Sequence, residues 1–182
     1  MSCITEIIKR KGDQEYLVTP NHAIETGGVY KDYEYIVTVT ARGHRCGYVA
    51  IPSSHKLHGL DLTLHSEPEP YNLNVHGGIT WSQPGSHIIR HVLGEHHCDD
   101  MWIGFDAAHY QDGKDIRLVR RLWKDNPEVM RETDAMEAAE KRVQQQLCGY
   151  DCHGDEIIRT NEYMVQECIN LIDQIVEGDK AA

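Results

Sequence analysis

Two short motifs hold the residue types that do chemistry. In Asn74-Val75-His76-Gly77-Gly78-Ile79-Thr80 an imidazole stands where a short β-type run ends, followed by two residues without side chains. Glycine pairs admit positive φ and let a ligand approach the main chain closely. Successive N–H groups in such a turn can form an anion-binding nest, and Thr80 adds a hydroxyl. The opposing reading is an ordinary turn. Gly104-Phe105-Asp106-Ala107-Ala108-His109 is the stronger signal, because an apolar run stops at Asp106 and a second imidazole follows three residues on. If the chain turns helical there, Asp106 and His109 share a face. Asp112 extends the acidic cluster, and the plain alternative is an Asp cap beside an incidental His.

Together His76, Asp106 and His109 admit two chemistries. A His/His/Asp set can hold Zn²⁺ or another divalent metal, with an open position for water. Without metal, the same set can do general acid–base work on a phosphoester, since imidazole titrates near neutral pH. His76, Asp106 and His109 are thus candidates both as catalytic groups and as metal ligands, and the residue pattern does not choose between them. His55, His76, Asp106 and His109 each fall at or just beyond a strand end. They are expected to converge within about 10 Å in one pocket.

Weaker signals lie elsewhere. His87, His91, His96, His97 and Cys98, and separately Cys148, Cys152 and His153, could collect a metal, but neither group has a zinc-site spacing. Signatures of a catalytic cysteine, a phosphate-binding loop, a dinucleotide loop and a nucleophile elbow are absent.

The elements that must position these residues follow from local pattern. Tyr33 to Thr40 is β-branched and aromatic at every position but Glu34, a strand; Ala41 to Arg45 turns, and Cys46 to Ile51 returns as a second strand ended by Pro52. Residues 53 to 70 read as loop. Leu73 to Val75 reads as a short strand, Gln83 to Asp100 as a surface excursion, Met101 to Phe105 as a buried strand, and Asp115 to Trp123 as one more strand. The C-terminal third reads as helical. One helix opens at Pro127 and carries Met136, Ala139, Val143 and Leu147 as a stripe. The last helix is capped by Thr160 and carries Met164, Cys168, Leu171 and Ile175 on one face to Gly178.

On that last helix Tyr163, Glu167, Asn170 and Gln174 fall within about 60° at about 100° per residue, a line bordering the apolar face. It is either a solvated flank or a wall of the site. In the second case Glu167 should reach His76 or His109 and act as a catalytic carboxylate. The fold class expected is α+β, a small mostly antiparallel sheet packed with C-terminal helices. Residues 1–125 form the strand-rich core with the site, and 126–182 the helical part of the same domain.

The 182 residues suffice for one domain with a real core, at 26% charged and 40% hydrophobic. A net charge of −11 argues against a general nucleic-acid binder, which would need a basic face. It leaves room for a small anionic or nucleotide-like ligand held locally. No apolar run approaches the roughly 20 residues that span a bilayer, and no export signal opens the chain, so a cytoplasmic place and six reduced cysteines are expected. Homo-oligomerisation stays open.

Three stretches taken together carry a resemblance: Cys46-Gly47-Tyr48-Val49-Ala50-Ile51-Pro52 with His55, the segment Val75 to Thr80, and Trp102 to His109. With the final helix from Arg159, they resemble a family of small proteins encoded widely in tailed bacteriophages and prophages. The match covers roughly residues 45 to 176. The resemblance implies phage origin, hence the cytoplasm of a bacterial host. It marks His55, His76, Gly77, Gly78, Thr80, Asp106, His109, Tyr163 and Glu167 as site residues, with His55, Gly77, Gly78, Thr80 and Tyr163 as the ligand-binding ones. It implies no particular reaction. The segment from Gln83 to Asp100 departs from the family pattern.

Three functions compete at this point. One is a phage accessory hydrolase acting on a phosphorylated or nucleotide-derived molecule, in a counter-defence role. Another is a non-catalytic sponge for a nucleotide immune signal. The third is an acidic inhibitor that binds a host protein.

Overall fold

The computed structural model describes residues 3–63, 69–84, 100–146 and 156–181. Strands β1 (Leu17–Val18), β2 (His22–Tyr30), β3 (Tyr33–Thr40), β4 (Arg45–Ile51), β5 (Trp81–Pro84) and β6 (Met101–Asp106) form one antiparallel sheet in the order β1-β2-β3-β4-β6-β5. Helices α1 (Cys3–Lys11), α2 (Ile116–Leu122), α3 (Pro127–Gln146) and α4 (Asn161–Ala181) complete the described chain. The fold is α+β, with α4 packed against the sheet.

Side chains alternate across a strand, and here both faces are covered. Val37, Val49, Ile51, Ile103 and Phe105 pack with Met164, Cys168, Leu171, Ile172 and Ile175 of α4. Their neighbours Ile36, Ala50 and Trp102 point the other way, onto Ile4 and Ile7 of α1. Two-sided burial explains why Met101 to Phe105 is apolar without alternation. The β2–β3 hairpin turns on Lys31 and Asp32, both at positive φ (47° and 67°), the two-residue geometry that matches strand twist.

Near Glu25 the β2–β3 register shifts, and the buried Glu25 carboxylate takes two hydrogen bonds from the Arg45 guanidinium at 2.7 and 3.0 Å. Arg45 also donates to the Arg159 carbonyl at 3.0 Å, which fixes the chain just before α4. Thr160 then caps the helix, its hydroxyl accepting the Tyr163 N–H at 3.2 Å.

Three sequence expectations are corrected. Asp115 to Trp123 is not a strand: Asp115 accepts the Leu118 N–H at 3.1 Å and opens α2, whose Leu118 and Val119 join Trp123 in a third cluster with Val39. Leu73 to Val75 lies outside the sheet, because side chains of α4 take its backbone groups. The stripe on α3 is not a buried face. Val129 and Thr133 are buried, whereas Ala139 and Val143 are exposed, and Leu147 lies outside the described residues. The N-terminal elements α1, β1 and β2 had no counterpart in the sequence reading, and α4 runs past Gly178 to Ala181. Most of Gln83–Asp100 also lies outside the described residues. Among the described residues, no helix is long and apolar enough to cross a membrane.

Candidate functional site

Strand β6 ends at Asp106, and the chain then turns without becoming helical. Asp106 Oδ1 accepts the Ala108 N–H at 3.1 Å, the Asp112 N–H closes onto the His109 carbonyl, and Gln111 sits at a φ of 70°. Short bonds of Gly113 and Ile157 fasten this turn to the segment leading into α4. Behind it, His44 Nδ1 bonds the Ala107 carbonyl at 3.0 Å, and burial lowers the His44 pKa.

Opposite stands the His76-Gly77-Gly78 turn. Both glycines have positive φ, 70° and 85°. A Cβ on Gly77 would collide with the His109 imidazole, so that position needs glycine for space as well as conformation. The nest expected here is largely filled from within. Gly78 N–H donates to the Val75 carbonyl at 3.0 Å, and His76 N–H donates to Glu167 Oε2 at 2.8 Å. The anion at this turn is therefore the Glu167 carboxylate. About two helical turns further on, Gln174 pairs with the Asn74 peptide, accepting its N–H at 2.5 Å and donating to its carbonyl at 2.9 Å. Tyr163, Glu167 and Gln174 of the polar line on α4 thus do face residues 74–76, where they replace a neighbouring strand, whereas Asn170 is exposed and bonds Gln166 and Glu167 of its own helix.

The imidazole of His76 is held at both nitrogens. Nε2 lies 2.7 Å from Asp112 Oδ2, and Nδ1 lies 3.0 Å from the Tyr163 hydroxyl. Asp112, 1% exposed at its side chain, also accepts from Arg159 Nε at 2.9 Å and from the His109 N–H at 3.1 Å. Burial alone would raise its pKa. The hydrogen bonds from His76, Arg159 and the His109 N–H outweigh that and hold the carboxyl below its ordinary range. An ionised Asp112 only accepts, so Nε2 carries a proton; with that one proton on the ring, Nδ1 accepts from Tyr163 O–H. Burial, then the nearby Glu167 charge, raises the Tyr163 pKa and keeps the phenol protonated. The result is an ordered hydroxyl–imidazole–carboxylate chain.

His109 stands beside it, ring centroids 5.7 Å from His76. Its Nε2 is 3.6 Å from Asp106 Oδ1 and buried against Gly77, with no hydrogen-bond partner among the described residues. Thr80 donates to Asp106 Oδ2 at 2.9 Å. His76, Gly77, Gly78, Thr80, Asp106, His109, Tyr163 and Glu167 are therefore neighbours, as expected.

His55 is not among them. It meets Asp179 at 3.0 Å near the far end of α4, so of the four residues expected to converge in one pocket three are neighbours, and neither of the cavities described below is lined by them. Glu167 reaches the backbone of His76 and not its ring; the carboxylate on the ring is Asp112. Sequence reasoning placed Asp112 only at the edge of an acidic cluster and gave Arg159 no role. Its one available signal was Asp112 at three residues from His109.

A metal on His76, Asp106 and His109 would require His76 to release Asp112 or Tyr163. Among the described residues, no three His, Cys, Asp or Glu side chains form a group that could hold a metal. The buried Cys46 and Cys168 are free thiols, and burial pushes Cys46 up to about 12, out of the nucleophilic range. His87, His91, His96, His97, Cys98, Cys148, Cys152 and His153 lie outside the described residues.

Two cavities of about 450 Å³ lie apart from His76 and His109. One is lined by residues such as His22, Arg42 and Glu132, the other by Asn72, Asn74, Gln174 and Gly178. The hydrogen-bond chain is the better guide to chemistry, because it orders titratable groups while these hollows have none in such an array. Compared with family models, curated proteins and solved structures, the chain matches none.

Proposed function

We propose that the protein is a small hydrolase of phage origin that acts on a phosphorylated or nucleotide-derived molecule by acid–base chemistry centred on His76. The single observation behind this reading is His76 on the ionised, buried Asp112 at 2.7 Å. A carboxylate fixed there sets the tautomer and stabilises the imidazolium that forms when the ring accepts a proton. The guanidinium of Arg159 adds positive charge beside the same group, suited to an anionic substrate. The chemistry assigned to His76 needs no metal.

The test is turnover of bis(p-nitrophenyl) phosphate and of cyclic and linear nucleotides by purified protein. His76→Ala should lower the rate by about 100-fold or more while the protein stays folded. Wild-type rates in that variant would end the reading.

A second reading, a sponge that sequesters a nucleotide, draws on Tyr110. Directly after His109, its side chain is 90% exposed and offers an aromatic face for a base. A nucleotide retained unchanged through purification, with no turnover, would favour it.

A further inference from the structure

We propose that Tyr163, and not His76, is the residue that meets the substrate. Its phenol oxygen is the nucleophile, His76 is the base that takes its proton, and Asp112 stands behind the base. The inference deepens the hydrolase reading and takes its substrate class, a phosphate ester, from it.

The geometry leaves His76 no free nitrogen. Nε2 is on Asp112 and Nδ1 is on Tyr163, so the imidazole has no atom left for a substrate or a water. The open end of the chain is the Tyr163 oxygen, on a side chain that is only partly buried. This is the order of an activated hydroxyl nucleophile: hydroxyl, base, and a carboxylate that orients the base. Tyr163 is also held firmly. It lies in the first turn of α4 beneath the Thr160 cap, its ring edge-on to His76, with the Arg159 guanidinium 5.0 Å above the ring. Arg159 spends its Nε on Asp112, and among the described residues its two terminal nitrogens have no hydrogen-bond partner. They are placed to meet phosphoryl oxygens at the same tyrosine. A phenol kept protonated by its surroundings needs such a base, and one stands at 3.0 Å.

The reaction balances in two steps. The Tyr163 oxygen bonds to phosphorus as the ester P–O bond breaks; the phenol proton passes to His76 Nδ1, and the departing alcohol oxygen takes a proton from a water, leaving hydroxide. That hydroxide then attacks phosphorus, the Tyr163 O–P bond breaks, and the phenolate recovers its proton from His76. One water is consumed for each ester cleaved, with no change in oxidation state.

The test uses diisopropyl fluorophosphate on the full chain, followed by peptide mapping. Attack by a tyrosine forms an O–P bond and expels fluoride, so no natural substrate is needed. Of the nine tyrosines, Tyr163 should be labelled about tenfold faster than any other. D112N should slow that labelling about 100-fold at an unchanged circular dichroism spectrum. Should D112N not fold, H76Q carries the same expectation. Equal labelling across the tyrosines, or labelling of Tyr163 indifferent to D112N and H76Q, overturns the proposal. Turnover of bis(p-nitrophenyl) phosphate by Y163F at the wild-type rate also overturns it, yet leaves the hydrolase reading standing. Selective, Asp112-dependent labelling in a protein that hydrolyses no phosphate ester upholds the nucleophile and removes the hydrolase reading.

Discussion

The two ends of α4 carry the same residue types in different wiring. Near its start, His76 sits between Tyr163 and Asp112; near its end, His55 meets Asp179 together with Tyr71 and Tyr33. Tyr163 and Asp179 are about 24 Å apart along the helix at about 1.5 Å per residue. At the first end the hydroxyl bonds the imidazole, which bonds a carboxylate 1% exposed. At the second, Nδ1 of His55 accepts the Leu57 N–H at 3.0 Å, so only Nε2–H is left, and it donates to Asp179. The Tyr71 hydroxyl goes to Asp179 directly, at 2.6 Å. Three donors converge on one carboxylate that is 34% exposed, and no base is left between hydroxyl and acid. The first arrangement can move a proton along a line. The second pins the end of a helix. What separates chemistry from a structural tie is therefore which atom the hydroxyl bonds, not which residues are present.

Substitution of the two carboxylates should show the largest difference. Asp112→Ala strands Arg159 and His76 near a buried vacancy and should cost about 3 kcal/mol. Asp179→Ala removes an exposed anchor and should cost about 1 kcal/mol. Urea unfolding of both variants measures this, and equal losses would erase the distinction.

The two loops differ in the same direction. Gly77 at a φ of 70° faces His109, whereas Gly59 at a φ of 82° faces open space. Gly59→Ala should cost about 1 kcal/mol from conformation alone. Gly77→Ala should cost more and also impair function, because the new methyl group must displace the imidazole. If the two costs are the same, His109 is not packed on that turn.

Acid should unsettle both ends by the same sign. For Asp179 burial raises the pKa, but hydrogen bonds from Tyr71 and His55 hold it below the ordinary value, as those at Asp112 do. An unfolded aspartate titrates near about 3.9. Stability from each is present above that value and is lost as pH falls through the lower, folded pKa. Unfolding midpoints between pH 7 and pH 2.5 should therefore decline below about pH 4. Asp112→Asn should flatten the decline more than Asp179→Asn; the reverse order would make Asp179 the stronger coupling.

The smallest effect should come from Glu167→Gln. The amide oxygen still accepts the His76 N–H, so stability should change by less than about 1 kcal/mol and turnover by only a few-fold. Abolished turnover in a folded Glu167→Gln variant would put this carboxylate into the chemistry.

Local pattern carried much of the fold. Strand β3 was legible from seven β-branched or aromatic residues among its eight, Glu34 being the exception. The stripe of Met164, Cys168, Leu171 and Ile175 was legible from its spacing, and all four are fully buried. The positive φ at Gly77 and Gly78 followed from a glycine pair at a strand-like end. Elements failed where composition misled. Asp115 to Trp123 has strand-like parity, yet Asp115 caps a helix there. Residues 73–75 have strand residues but no strand partner.

The sequence by itself determined where chemistry could sit, because side-chain type and local spacing are written along the chain. Only the tertiary structure decided which partner each group has. Asp112 reaches His76 across 36 residues and Tyr163 reaches it across 87, whereas His55, equally plausible by type, is drawn to Asp179 124 residues away. Periodicity reports on neighbours within a turn or a strand. Contacts at such separations depend on how the sheet and α4 dock, which is fixed by the whole buried core rather than by any one segment.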